Sequence, residues 1–322
     1  MTYKKFSLYV FFVFHHNVNM ALEIQEEFLD NFLSKHTRVS YKTDLDQFCR
    51  FLMRFSPEIK DLAQVNRHQV ILFRNYLQIQ KNYTPKTISR KLAAISSYYD
   101  FIVEKGLMNT NPSLSVKRPR KEVVNPTPAL LKEQVLQLFS AVSENRRSGP
   151  LHRALLITFF TTGLRKSEII YLKRKNFRQM NGSYFISYCG KGGKRGLKLL
   201  HPLCVEAIIS YMEWMEQQGR KHKPSDWLFR PTRNPLYPGN LDKPLNPKTI
   251  NEIFNHYGKK IGLSHSISPH CARATFISTL LENGVDIYKV AQEVNHSSVK
   301  TTQEYDKRRR KIKDSPINKL NY

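Results

Sequence analysis

The residues best equipped for chemistry gather toward the far end of the chain. Gln292-Glu293-Val294-Asn295-His296 leads through a polar turn to Thr301-Thr302-Gln303-Glu304-Tyr305, and Asp306-Lys307-Arg308-Arg309-Arg310-Lys311 follows at once. A phenol among that much positive charge is placed to meet a phosphate, because nearby cations favour loss of its proton and attack on phosphorus. The same stretch also reads as a surface tyrosine on a basic helix, and His296 as a helix-end cap. Upstream, Ser268-Pro269-His270-Cys271-Ala272-Arg273 opens a helix with proline in its first turn. His270 and Arg273, three apart, then share one face, which suits an oxyanion. The alternative is an exposed histidine beside a solvated arginine. In Thr161-Thr162-Gly163-Leu164-Arg165-Lys166-Ser167-Glu168, the glycine closes one helix and Arg165 stands where the next begins, with outward-pointing N–H groups beside its charge. A salt-bridged structural arginine is the competing reading. Gly190-Lys191-Gly192-Gly193-Lys194 joins two strand-like runs, 184–188 and 197–200, as a hairpin that displays two lysines at its tip. Those lysines either decorate the surface or lay one amine into a groove.

The chain has 322 residues, with 52 Lys+Arg against 26 Asp+Glu and a net charge of +26. That excess argues against an ordinary small-molecule enzyme and for a polyanionic partner, nucleic acid first and an acidic membrane surface second. With 40% hydrophobic and 11% aromatic residues, cores can form, and the length suffices for two domains. Cys49, Cys189, Cys204 and Cys271 form no CxxC pair, and His201 with Cys204 lacks a second pair to complete a zinc site. Free thiols in a reducing compartment, the cytoplasm, are the expectation. The close carboxylate pairs Asp44/Asp46 and Glu23/Glu26 sit on amphipathic stretches and read as solvated, away from anything resembling a two-metal site. Near the start, Lys4-Lys5 precedes an apolar run, Phe6 to Phe14, that is too short to cross a bilayer and has no small-x-small cleavage site after it. Residues 1–19 are expected outside the fold, with Met20 opening an ordinary amphipathic segment.

The elements that must hold these residues are mostly helices. Apolar spacing predicts a helix over 21–35, a second beginning at an N-cap Thr37, a third after Asn66, and a fourth from Thr84-Pro85 to about Gly106. They make a four-helix unit over 20–108, whose basic positions Lys42, Arg67, Lys86, Arg90 and Lys91 are either a solvated face or a DNA-facing one. Residues 109–128 read as a basic linker, broken by Pro112 and kept extended by Pro119, Pro126 and Pro128. The second domain, 129–322, adds helices at 130–143, 150–162, 202–219, 246–261 and from Pro269, then a short one over 285–293.

Taken together and in this order, Thr-Gly-Leu-Arg165 with Ser167-Glu168, the Gly-Lys191-Gly-Gly-Lys hairpin, Pro-His270-x-x-Arg273 and His296 nine positions before Tyr305 resemble the tyrosine recombinase (integrase) family. The family's Leu-Gly-His is Val294-Asn295-His296 here, and asparagine tolerates the left-handed backbone that glycine would adopt. The common His-x-Leu-Arg is His270-Cys271-Ala272-Arg273. The resemblance implies a mainly α fold with a small β-hairpin or sheet. It implies a two-domain C-shaped DNA clamp, built from a helical core-binding domain and a mixed α/β catalytic domain. It implies a site-specific recombinase working through a 3′-phosphotyrosyl intermediate, without metal or nucleotide cofactor. Arg165, Lys191, His270, Arg273, His296 and Tyr305 would be catalytic, Lys191 rather than Lys194 being the hairpin lysine by the family's spacing. Glu168 would orient its neighbours. Partners would be double-stranded DNA at a specific site and three further copies, a homo-tetramer on two duplexes, with no membrane. The tail 312–322, with Pro316, Ile317 and Leu320, reads either as a segment that docks on a neighbouring subunit or as a frayed, basic C-terminus. A type IB topoisomerase shares the chemistry, and a non-catalytic DNA-binding regulator shares the charge and the helices.

Overall fold

The computed structural model describes residues 18–59, 61–120, 128–143, 148–233 and 237–306. The chain divides into two compact units, Met1–Val124 and Asn125–Tyr322.

Among the described residues the first unit holds four α-helices. They are α1 (Val18–Asp30), α2 (Lys35–Phe55), α3 (Arg67–Ile79) and α4 (Pro85–Glu104). Each of the last three starts at a side-chain cap. Ser34 accepts from the Thr37 N–H, so it and not Thr37 caps α2. Asn66 caps α3 in a reciprocal arrangement with Gln69, and Thr84 caps α4 just ahead of Pro85. Their apolar faces meet in a core rich in aromatics, among them Phe28, Phe48, Phe73 and Tyr99. Two sequence expectations change here. Asp44 is not solvated; it is 1% exposed and bonded to both Arg90 and Lys91. Lys91 is itself buried, so these two cations neutralise a carboxylate inside the unit. Residues 111–116 also belong to this unit. Asn111 Nδ2 donates to Ser96 O at 2.9 Å and to Asp100 Oδ1 at 2.7 Å, and Val116 joins the core.

The second unit is built around α6 (Gly149–Thr162), a helix buried almost all round. Around it come α5 (Lys132–Ser140), α7 (Lys166–Ile170), α8 (Pro202–Gln217), α9 (Pro247–Lys260) and α10 (Pro269–Glu282). Two short helices follow, α11 (Ile287–Glu293) and α12 (Val299–Gln303). Helix α6 packs against α8, α5 and α10. The sequence predicts a two-stranded hairpin; the sheet has three strands, all antiparallel, β1 (Phe177–Met180), β2 (Ser183–Cys189) and β3 (Arg195–Leu199). The unpredicted β1 is joined to β2 by Asn181-Gly182, both at positive φ (48° and 75°), the backbone that a two-residue hairpin turn requires. A separate small core under α10 and α11, formed by Ala274, Ile277, Leu281, Val290 and Val294, receives the Tyr305 ring. The tail 312–322 and the basic run from Lys307 lie outside the described residues, as do residues 1–17.

Candidate active site

Each candidate residue is delivered by a specific piece of local chemistry. Gly163 ends α6 at φ 61°, and a Cβ there would sit 2.5 Å from Phe276 Cδ1, so glycine is required twice over, by backbone and by space. The chain then turns extended, and Arg165 stands at the N-cap position of α7. Its backbone N–H donates to Glu168 Oε2 at 2.7 Å, and its Nη1 donates to Glu168 Oε1 at 2.9 Å. Glu168 is almost wholly buried and so fixes both the backbone and the guanidinium of a partly exposed arginine. Arg273, one turn into α10, is 4% exposed. Its Nη1 donates to Gly163 O at 2.6 Å and its Nη2 to Val294 O.

His270, on the first turn of α10, is hydrogen-bonded through Nε2 to the Tyr305 hydroxyl at 3.2 Å. The His296 ring lies over Tyr305, with centroids 6.2 Å apart and planes 20° off parallel. His296 Nδ1 meets the buried Thr302 hydroxyl at 2.8 Å. Tyr305 is anchored by its backbone too: its carbonyl accepts from Ser278 Oγ at 3.1 Å. Arg165, His270 and Arg273 open onto one cavity of about 350 Å³, completed by Lys166, Asn251, Ser268 and Pro269. A larger cavity, about 880 Å³, lies on the other side of Arg165 against β2 and touches neither histidine nor Tyr305. The larger cavity is lined by Arg165, Lys175, Arg178 and Arg195, but the smaller one is where Arg165 and Arg273 meet His270, the phenol's partner.

Lys191 lies in the turn between β2 and β3, and its side chain is outside what the structure describes. Lys194 is exposed, and its carbonyl closes that turn by accepting from Gly190 N–H at 2.7 Å. Thus five of the six predicted residues are placed with their side chains, and those five form one cluster.

The charges and burial of the site act on its own titratable groups. Burial raises the Tyr305 phenol above its ordinary value, and Arg273 and Arg165 pull it back down. Burial, then the neighbouring Arg165 charge, lowers Arg273 to about 10, so it remains a cation at neutral pH. Burial and the charges of Arg273 and Arg165 push His296 down to about 4, which leaves a neutral imidazole with one N–H to donate. Among the described residues no group of three or more His, Cys, Asp or Glu side chains is placed to hold a metal ion.

Residues 128–311 match the phage integrase family, and residues 27–106 match the SAM-like N-terminal domain of phage integrases. The chain belongs to the phage integrase family, the tyrosine recombinases. Tyrosine recombinase XerC of Anoxybacillus flavithermus (strain DSM 21510 / WK1) is 29% identical over 293 residues, covering 90% of this chain and 93% of that protein. XerC of Rickettsia bellii (strain OSU 85-389) is 28% identical over 279 residues, covering 85% and 87%. Among solved structures, XerH recombinase in a post-cleavage complex with palindromic difH substrate has a TM-score of 0.68 at 19% identity, over 88% of this chain and 80% of that one. A lambda integrase dimer bound to a COC′ core site also has a TM-score of 0.68, at 16% identity over 90% and 95%.

Sequence reasoning missed several side chains of this recombinase's site. Lys166 Nζ donates to Asn251 Oδ1 at 3.1 Å and ties α7 to α9 beside the cavity. Tyr188 on β2 accepts from Asn295 Nδ2. Lys198 on β3 is 3% exposed and donates to Glu293 Oε1 at 2.8 Å. Lys166 had a usable signal, its place beside Arg165. The other two had none, since their partners are more than ninety residues away.

Proposed function

We propose that this recombinase cuts DNA with Tyr305 and rejoins it without a nucleotide cofactor. The observation that carries this reading is the 3.2 Å contact of the Tyr305 hydroxyl with His270 Nε2, His270 itself lining the cavity shared by Arg165 and Arg273. A phosphate in that cavity places two guanidinium groups on its non-bridging oxygens, where charge builds as the phosphoryl group transfers. His296 adds a hydrogen bond from Nε2–H while the Thr302 hydroxyl donates to Nδ1. The phenol begins protonated. Its proton passes to His270 Nε2 as the tyrosine oxygen bonds to phosphorus and the bond to the 5′-oxygen breaks. Lys191 supplies the proton that the departing 5′-oxygen takes up. The product is a 3′-phosphotyrosyl bond and a free 5′-hydroxyl, and attack by a 5′-hydroxyl reverses the step.

Strand exchange between two duplexes cuts four strands. With one nucleophilic tyrosine per chain this needs four copies, and the tail 312–322 is our candidate for the segment that links them. The first unit, including residues 111–116, is the core-binding domain and 129–322 the catalytic domain in this reading. The cytoplasm is the site of action in this reading; what supports it is that Cys49, Cys189, Cys204 and Cys271 form no disulfide, as in a reducing compartment.

The test is covalent trapping on nicked DNA that carries the cognate site, found by selecting bound genomic fragments. Wild type gives a protein–DNA adduct on a denaturing gel, and Tyr305→Phe binds the DNA without one. Binding without adduct from either protein, on a confirmed site, would leave a DNA-binding regulator in its place.

A further inference from the structure

Strand β3 is folded inside out. Leu197 and Leu199 are 54% and 58% exposed, whereas Lys198 between them is 3% exposed. Burying an ammonium while exposing two leucines opposes the ordinary drive of folding, so the lysine must be held by what it bonds. Its Nζ donates to the Glu293 backbone carbonyl and to Glu293 Oε1, and lies 5.3 Å over the Phe276 ring. Burial lowers the Lys198 ammonium from its ordinary range, and Glu293 acts against that.

The bonded turn is the one that carries the site. Three consecutive carbonyls, those of Glu293, Val294 and Asn295, accept from Lys198, Arg273 and Arg165, the last at 3.5 Å. His296 comes next. Asn295 stands at φ 50°, and its side chain donates to the Tyr188 hydroxyl on β2. Tyr188 lies over Gly196, where a Cβ would come 2.4 Å from its Cζ, so the neighbouring strand leaves room for that ring.

We infer that Lys198 and Tyr188 are positioning residues, which pin the Glu293–His296 turn to the β2–β3 hairpin in the register that aims both arginines and His296 at the phosphate. The inference rests on the reading of the site given above. It assigns work to two hairpin side chains that touch no substrate, and it makes the hairpin a support for the phosphate site as well as the carrier of Lys191.

Single-turnover cleavage of the nicked cognate site, at saturating protein, separates the possibilities. Lys198→Met is expected to lower the cleavage rate constant about 10- to 100-fold, the scale of a small misplacement of reacting groups, with DNA affinity within about twofold of wild type. Tyr188→Phe, which removes one oxygen and keeps the ring over Gly196, is expected to lower it several-fold and guards against a Lys198→Met protein that does not fold. A purely structural role would reduce the fraction of active molecules and the melting temperature but leave the rate constant of the active fraction unchanged, and that result in both variants overturns the inference. A substrate with sulfur in place of the bridging 5′-oxygen, whose leaving group departs unprotonated, should rescue Lys191→Ala and not Lys198→Met. Full rescue of Lys198→Met would make Lys198 the proton donor itself and overturn its positioning role. Wild type that fails to cleave a confirmed site would instead remove the parent reading.

Discussion

At the scale of single residues, the two arginines have unequal duties. Arg165 is partly exposed and held by Glu168, whereas Arg273 is buried and satisfies the carbonyls of Gly163 and Val294. Arg165→Ala should therefore cost about 10²–10³-fold in cleavage rate and also lower the melting temperature, because it leaves the buried Glu168 carboxylate without its cation. Arg273→Ala should cost at least as much in rate and also lower the melting temperature, since two buried carbonyls lose their donor. Cleavage kinetics beside thermal melts check both, and an unchanged cleavage rate in the folded fraction of either variant would contradict the assignment. His296 makes a separate, pH-dependent prediction. Its folded value, about 4, lies below its ordinary 6.5. As pH falls from 6.5 toward 4 the unfolded chain takes up a proton that the folded one refuses, so stability present above pH 6.5 is lost. For a half-exposed ring the effect between pH 7.5 and 5 is about 1 kcal/mol. Denaturant melts should show a smaller acid loss in His296→Gln than in wild type; His222, also held near 4, contributes to both proteins alike. The places of these candidates in the fold were legible because each stood beside a structural signal, Arg165 after Gly163 and His270 after Pro269. Lys198 was not, because alternation along a strand predicts leucine inward.

Elements were legible where a cap or a turn residue marks them. Asn66, Thr84-Pro85, Gly163 and Pro269 each begin or end a helix where the sequence predicts. Strand β1 was missed although Asn181-Gly182 announces it, since Arg178 and Gln179 break its apolar pattern. Asp44 was misread for a different reason: its partners Arg90 and Lys91 lie on another helix, and burial of a charge is decided by that packing. The left-handed junction at Gly163 holds both arginines of the proposed phosphate site, since it precedes Arg165 and supplies a carbonyl to Arg273. Gly163→Ala forces a positive φ on alanine and drives its Cβ into Phe276. We expect a loss of about 1–3 kcal/mol and a drop in cleavage beyond the loss of folded protein, because the same peptide supplies the Arg273 acceptor. Chemical denaturation with cleavage normalised to folded fraction tests it; a stable, fully active Gly163→Ala would show that the junction is tolerant.

At the scale of the whole molecule, the +26 charge was the plainest signal in the sequence, and it bears on affinity rather than on chemistry. A protein that neutralises about 6–10 phosphates loses about 10³–10⁵-fold in DNA affinity between 50 and 200 mM salt. Titrations across that range should show such a slope for wild type and for Tyr305→Phe equally, and a flat response would contradict a phosphate-dominated interface. The two-unit division and the mainly helical character were also readable from composition and spacing, but the small core that holds Tyr305 was not, since it assembles from α10, α11 and the residue itself. The central claim is that this one phenol becomes the covalent link to DNA. The most direct measurement is peptide mapping by mass spectrometry of the adduct trapped on nicked site DNA. A nucleotide joined through its 3′-phosphate to Tyr305 is expected; a nucleotide on any other side chain would contradict Tyr305 as the nucleophile.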